Sequence, residues 1–183
     1  MPLAYQLKIT LEEIQPAIWR GILVSANIRL GALDRAIQAA MGWENCHLHM
    51  FHVGNMRYAD PDPEWAELGV KDEWKICLRD VAPSVGDRFS YEYDMGDGWM
   101  HDVVVEDFIK LNTLFKHLPL CLAGARACPP EDCGGTGGYL DFIEATSDKK
   151  HARHKELLRW IGGDFDPEAF DIVGANESLK GIE

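Results

Sequence analysis

The sequence contains no long apolar run and no targeting segment. Its first residues, MPLAYQLKITLEEI, lack both the positive charges and the apolar stretch of a secretion signal. Nowhere does the chain approach the roughly 18 consecutive apolar residues of a membrane-spanning helix. We therefore expect no membrane association and a cytoplasmic location.

Basic residues are scarce. The 18 lysines and arginines are outnumbered by 30 aspartates and glutamates, which gives a formal net charge of −12. Proteins that bind nucleic acid through its phosphates present a basic surface, because counterion release supplies most of their affinity. The composition therefore disfavours nonspecific DNA binding, and among macromolecules it favours a protein or other basic partner.

Cysteines are few, and their spacing is uninformative. The chain has five, an odd number, and none forms a CxxC pair. A chain of 183 residues can bury a substantial hydrophobic core without disulfides. We therefore expect free thiols in a reducing compartment and no zinc ribbon, although Cys121, Cys128 and Cys133 with a histidine could still assemble a zinc site.

Common catalytic motifs are missing as well. The sequence has no HExxH, GxSxG or P-loop pattern. A recombinase would need a nucleophilic serine or tyrosine beside an arginine cluster, and the five serines are scattered without one. No reaction class follows from motifs alone.

The length of 183 residues predicts a single domain spanning residues 1–183, and apolar periodicity predicts both strands and helices within it. Period-two alternation or a high content of β-branched and aromatic residues predicts strands in YQLKITL, IWRGILV, HLHMFHV, WKICLRDV, RFSYEYDM and WMHDVVVEDF. Apolar residues spaced by three and four predict a helix over residues 30–41, with Gly42 as its stop. We expect a mostly antiparallel or mixed sheet, this one long helix in the N-terminal half, and a helical C-terminal region.

The segment DMGDGWMHD, residues 94–102, lies between two predicted strands. The pattern predicts that residues 88–94 and 99–107 pair as a hairpin, connected through residues 94–98. Glycines and aspartates suit such a turn without any further function. Alternatively, Asp94, Asp97 and His101 converge there to hold a divalent metal or carry acid–base chemistry.

A second polar group comprises His47, His49 and His52 of another predicted strand, together with Cys46 just before it. Alternation would place His47 and His49 on one face, where two imidazoles can chelate a metal. Half-buried, hydrogen-bonded histidines are the favoured alternative. We expect no cofactor, although a divalent metal stays open, with His47, His49 and His101 as candidate ligands.

The third distinctive segment is CPPEDCGGTGGY, residues 128–139, which leads into a predicted helix. Turn chemistry does not require Trp99, His101, Glu131 or Asp132. We therefore predict that this segment meets the hairpin tip, with Glu131 or Asp132 within hydrogen-bonding reach of residues 94–101. The candidate binding cleft comprises Asp94, Asp97, Trp99, His101, Glu131 and Asp132; a structural latch is the alternative.

These motifs, with IWRGILV, MGWENCHLHMF and GGDFDPEAFD, resemble the plasmid pRiA4b ORF-3-like family over about residues 3–173. The resemblance implies a single α+β domain of bacteria and archaea, associated with mobile genetic elements and in some members described as a resolvase passenger. It implies no activity. The positions that match its motifs are Tyr93, Asp94, Gly96, Asp97, Trp99, His101, Pro129, Pro130, Glu131, Asp132, Gly134 and Gly135. Met95 departs from the pattern, where the family usually has Phe.

Two functional hypotheses follow. The first is a noncatalytic binding module, in which both loops form an acidic recognition surface for a basic partner. The second is a metal-dependent hydrolase acting on phosphoester bonds, in which Asp94, Asp97, His101, Glu131 and Asp132 share an ion and activate water.

Overall fold

The computed structural model of the chain describes residues 3–111 and 117–182. Within these residues lie eight strands: β1 (Leu3–Leu11), β2 (Trp19–Ser25), β3 (His49–Val53), β4 (Met56–Ala59), β5 (Lys71–Asp72), β6 (Arg88–Tyr93), β7 (Trp99–Lys110) and β8 (Leu120–Ala125). The same residues form six helices: α1 (Leu30–Met41), α2 (Pro63–Glu67), α3 (Leu78–Val81), α4 (Gly135–Ser147), α5 (His154–Ile161) and α6 (Ile172–Ser178).

The described strands form one sheet in the order β5-β4-β3-β6-β7-β1-β2-β8. Every neighbouring pair is antiparallel except β4 and β5. Strand β1 lies between β2 and β7 and buries alternate side chains on one face, including Leu7, Ile9 and Leu11. The predicted α+β fold with a mostly antiparallel sheet is confirmed.

Helix α1 supplies much of the core. It has the predicted bounds, and Leu33 and Ile37 are fully buried. It ends at Gly42, whose φ of 104° is a left-handed conformation that glycine adopts without strain, and whose N–H bonds the Gln38 carbonyl. The chain is thereby turned toward the loop that carries His47.

The prediction of a strand at WKICLRDV is wrong. A 3₁₀ turn spans Glu73–Lys75 and α3 follows it, because carboxylates cap both. Asp72 accepts from the Trp74 N–H and Asp80 from the Cys77 N–H, and such local bonds compete with a strand ladder. Across the two described stretches, no helix combines the length and the apolar content needed to cross a membrane.

Candidate metal centre

Strands β6 and β7 pair as the predicted antiparallel hairpin. Tyr93 pairs with Trp99, and residues 94–98 connect the strands. Asp94 adopts a φ of 51°, and its Oδ1 accepts hydrogen bonds from the N–H groups of Gly96 (3.0 Å) and Asp97 (3.3 Å). The turn therefore uses one oxygen of Asp94 and leaves Oδ2 free to point elsewhere.

The loop before α4 packs against this turn, so the two distinctive motifs meet as predicted. The Gly134 N–H donates to Asp97 Oδ2 at 3.0 Å. A Cβ at residue 135 would lie only 2.6 Å from the Asp97 carbonyl oxygen, and the φ of Gly135 is +67°. Glycine is needed here because the two backbones come this close.

Hydrogen bonds to one carboxylate oxygen hold Glu131 in place. Oε1 accepts from the Tyr93 hydroxyl and the Glu44 N–H, both at 2.9 Å. Burial raises the pKa of Tyr93, and the bond to Glu131 raises it further, so the hydroxyl stays protonated and donates. We predicted that Glu131 or Asp132 would bond a residue of the segment 94–101, and this bond is instead to Tyr93, one residue before that segment. Oε2 of Glu131 is buried and has no hydrogen-bond partner among the described residues.

His47 occupies the point where these carboxylates converge. Its Nε2 lies 3.2 Å from Asp132 Oδ1, 3.7 Å from Asp94 Oδ2 and 3.8 Å from Glu131 Oε2. This nitrogen is also buried, yet it makes no hydrogen bond within the described residues. The 3.2 Å distance to Asp132 Oδ1 is short enough for a hydrogen bond, so the oxygen must lie away from the direction in which an Nε2–H group would point. We call His47, Asp94, Glu131 and Asp132 the His47 cluster.

Two sets of ligand atoms share His47. Cys46, His47 and Glu131 place one donor atom each within 4.8 Å of one another, and so do His47, Asp94 and Asp132. Donors bound to one ion at about 2.0 to 2.3 Å lie about 3 to 4.6 Å apart. Either set therefore fits a divalent cation after small side-chain adjustments.

The backbone around the cluster is unusual. Among the described residues, five other than glycine have a positive φ, and three of these are Asn45, Asp94 and Asp132. Asparagine and aspartate tolerate this conformation best, but it still costs free energy. Each of the three is a cluster residue or lies within two positions of Cys46 and His47. Backbone strain is often concentrated at functional sites.

His49 belongs to a different arrangement. Its Nε2 bonds Glu73 Oε2 at 2.8 Å, and its Nδ1 lies 3.3 Å from Asp34 Oδ1. Asp34 also accepts from the Tyr91 hydroxyl and from Gln38 Nε2. We call His49, Asp34 and Glu73 the His49 network; all three are buried in the core.

Trp99 and His101 also lie in the core and outside the cluster. Trp99 is 1% exposed and His101 fully buried. His101 Nδ1 faces the Tyr91 carbonyl at 3.1 Å and must donate to it, which leaves Nε2 unprotonated and without a partner among the described residues. Burial lowers the pKa of His101 to about 4.

Of the predicted candidates, the structure thus brings Asp94, Glu131, Asp132 and His47 together and places His49, Trp99 and His101 elsewhere. Asp97 serves as the link to Gly134. Sequence reasoning missed the support that Tyr93 and Glu44 give to Glu131. The motif residue Tyr93, buried on the same strand face as Tyr91, was the available signal.

Two adjoining depressions open beside the cluster and share Asp132 and Trp160 in their walls. One, of about 530 Å³, is lined by Trp43, Cys46, Glu131 and Phe165 among others. The other, of about 350 Å³, contains Asp141 and Arg153. A ligand of small-molecule or peptide size therefore has access to Asp132 and Cys46.

The fold and the site define a class: an α+β protein with a histidine–carboxylate cluster where a hairpin tip meets a glycine-rich loop. The family model "Plasmid pRiA4b ORF-3-like protein" matches residues 3–173. The chain belongs to this family.

Two similar proteins cover nearly the whole chain. "Uncharacterized protein y4hQ" of Sinorhizobium fredii is 38% identical over 180 residues, covering 97% of this chain and 91% of that protein. The crystal structure of a protein of unknown function, MM3350, from Methanosarcina mazei Go1 superposes with a TM-score of 0.85 at 33% identity. That alignment covers 94% of this chain and 97% of the other. Neither name carries an activity.

Proposed function

We propose that this protein is a noncatalytic binding module whose recognition site is built on a divalent cation held by the His47 cluster. The observation that carries the proposal is the convergence of Asp94, Glu131 and Asp132 oxygens on the buried, unpartnered Nε2 of His47; the Glu131 Oε2 atom among them is likewise buried and without a hydrogen-bond partner among the described residues. These residues come from three separate segments of the chain.

A bound cation would offset the repulsion among the carboxylates around His47. Three carboxylate oxygens lie within 3.8 Å of one imidazole nitrogen, and like charges gathered around one atom repel one another. One imidazole nitrogen with several carboxylate oxygens is a donor set suited to Mn²⁺, Fe²⁺ or Zn²⁺. The hydrogen bonds that hold Asp94 and Glu131 use one carboxylate oxygen of each residue and leave the other oxygen free for a cation. Outer-shell partners orient metal ligands in the same way.

The surroundings of the cluster suit a binding partner. Leu48 is 61% exposed and Met95 is 40% exposed, and the Asp94 N–H bonds the Leu48 carbonyl, so both apolar side chains flank the cluster. The net charge of −12 favours a basic partner. Five free cysteines support a reducing compartment such as the cytoplasm. The family's plasmid origin supports an association with mobile genetic elements.

A metal-dependent hydrolase of phosphoester bonds is the second candidate. Arg153 and Trp160 favour it, because they line a depression that also contains Asp132. The guanidinium would bind a phosphoryl group, and a cation on Asp132 would polarise that group and activate water. Hydrolysis of bis(p-nitrophenyl) phosphate with Mn²⁺, lost in Arg153→Ala and in Asp94→Asn, would favour this candidate over the module.

Titration calorimetry with Mn²⁺ and Zn²⁺ tests the cation itself. We expect one ion per chain, and at least tenfold weaker binding in Asp94→Asn, because that variant keeps the shape of the side chain but loses its charge. Asp107→Asn is the matched control, since Asp107 lies near the far end of β7 and its Oδ1 accepts a local bond from the Phe108 N–H.

Two results would overturn the proposal. One is the absence of any binding heat with either ion in the wild-type protein. The other is equal affinity in wild type and Asp94→Asn, which would place a bound ion elsewhere in the molecule.

A further inference from the structure

We propose that Cys46 is a ligand of the bound cation, and that the centre therefore selects a thiophilic ion such as Zn²⁺ or Co²⁺ over Mg²⁺ and Ca²⁺. This inference rests on the proposed function, and it names the class of ion. It stands on the three donor atoms of Cys46, His47 and Glu131, which all lie within 4.8 Å of one another.

Two of these donors are poorly satisfied by the protein. Glu131 Oε2 and His47 Nε2 are buried without a hydrogen-bond partner among the described residues. Tyr93 holds the third donor in place, since its hydroxyl lies 3.8 Å from Cys46 Sγ and also donates to Glu131 Oε1. Cys46 itself is exposed and lines the larger depression, so an ion can reach it from solvent.

The two donor sets that share His47 differ in the ions they suit. His47 with Asp94 and Asp132 offers nitrogen and oxygen, which manganese, iron and zinc accept. His47 with Cys46 and Glu131 offers sulfur, nitrogen and oxygen, and thiolate strongly favours zinc and cobalt over the hard alkaline-earth cations. A coordinating thiol is deprotonated by the ion it binds.

Cys133 provides a matched control. It follows Asp132 directly and is partly buried, but it belongs to neither donor set. Burial raises the pKa of its thiol to about 12, so it is protonated at neutral pH. Replacing Cys133 with serine changes one sulfur to oxygen close to the centre without touching a ligand.

Titration of the full chain with Co²⁺ under reducing conditions tests the inference. Absorption bands in the visible region report bound cobalt, and a near-ultraviolet band reports charge transfer from sulfur to cobalt. We expect both in the wild type and in Cys133→Ser. In Cys46→Ser the near-ultraviolet band should vanish, the visible bands should persist, and affinity for Zn²⁺ should fall at least tenfold.

The other outcomes are distinguishable. Visible bands without a sulfur band in the wild type would overturn the role of Cys46 and leave the proposed cation site standing. A sulfur band that survives Cys46→Ser would likewise contradict the role of this residue. No cobalt or zinc binding in the wild type would overturn the thiophilic assignment, and the proposed function with it if Mn²⁺ also fails to bind.

Discussion

Two histidines, separated by one residue, meet carboxylates in opposite ways. His49 is buried with Asp34 and Glu73, and its Nε2 bonds Glu73 at 2.8 Å. His47 is 27% exposed at the side chain, and its buried Nε2 faces three carboxylates without bonding any of them. The residue types are the same, but only the first group is internally satisfied.

The difference separates a structural network from a site with unfilled donor positions. Buried polar groups in proteins are nearly always hydrogen-bonded, as in the His49 network. Atoms that depart from this rule call for an explanation, and at the His47 cluster a cation supplies one. We therefore expect the His49 network to contribute to the free energy of unfolding and the His47 cluster to bind a ligand.

The largest expected effect is on the His49 network. Glu73→Ala leaves His49 and Asp34 buried without their partner, and breaking a buried pair costs about 3 to 5 kcal/mol. Urea unfolding at neutral pH measures the loss. Glu92→Ala is the control, because its bond to His52 (2.9 Å) lies on the half-exposed face and is worth about 1 kcal/mol or less. Equal losses in the two variants would contradict the comparison.

A smaller effect is expected where the two loops of the His47 cluster meet. Gly135→Ala forces a left-handed φ and a contact of 2.6 Å with the Asp97 carbonyl, for a cost of about 2 to 4 kcal/mol. Cation affinity should fall as well, because Glu131 and Asp132 shift with the loop. Gly137→Ala meets no atom within 4 Å and should be neutral or slightly stabilising. The idea fails if Gly135→Ala matches this control in both measurements.

His101 extends the comparison to a third histidine, one that is buried without a carboxylate. Its folded-state pKa of about 4 lies below the unfolded value of about 6.5, so the unfolded chain binds the proton more readily. The stabilising contribution is complete above pH 6.5 and is lost as pH falls toward 4, by about 2 kcal/mol between pH 7 and pH 5. His101→Asn keeps a donor for the Tyr91 carbonyl but cannot titrate. The free energy of unfolding of this variant should fall less over that range, and identical pH dependence would refute the assignment.

The sequence predicts what is local and misses what is distant. Helix α1 and the β6–β7 hairpin follow from periodicity and turn residues. The contact between the two loops could be predicted because a turn does not require carboxylates at Glu131 and Asp132, which indicates that they have a partner elsewhere. The predicted strand over residues 47–53 begins two residues too early, because β3 begins at His49. The hydrogen bond from Tyr93 to Glu131 joins residues that are 38 positions apart in the sequence. No local pattern encodes such a partner.

Thermal unfolding with and without Mn²⁺ or Zn²⁺, in wild type and His47→Ala, measures whether the His47 cluster binds a cation. His47 lies in a partly exposed loop, so the variant should unfold within about 0.5 kcal/mol of the wild type in the absence of metal. At 100 times the dissociation constant, the ion should stabilise the wild type by about 2.7 kcal/mol and raise its Tm, because it binds the folded state. We expect no such rise in Tm in His47→Ala. An equal rise in both proteins, or none in the wild type with either ion, would contradict the proposed cation site.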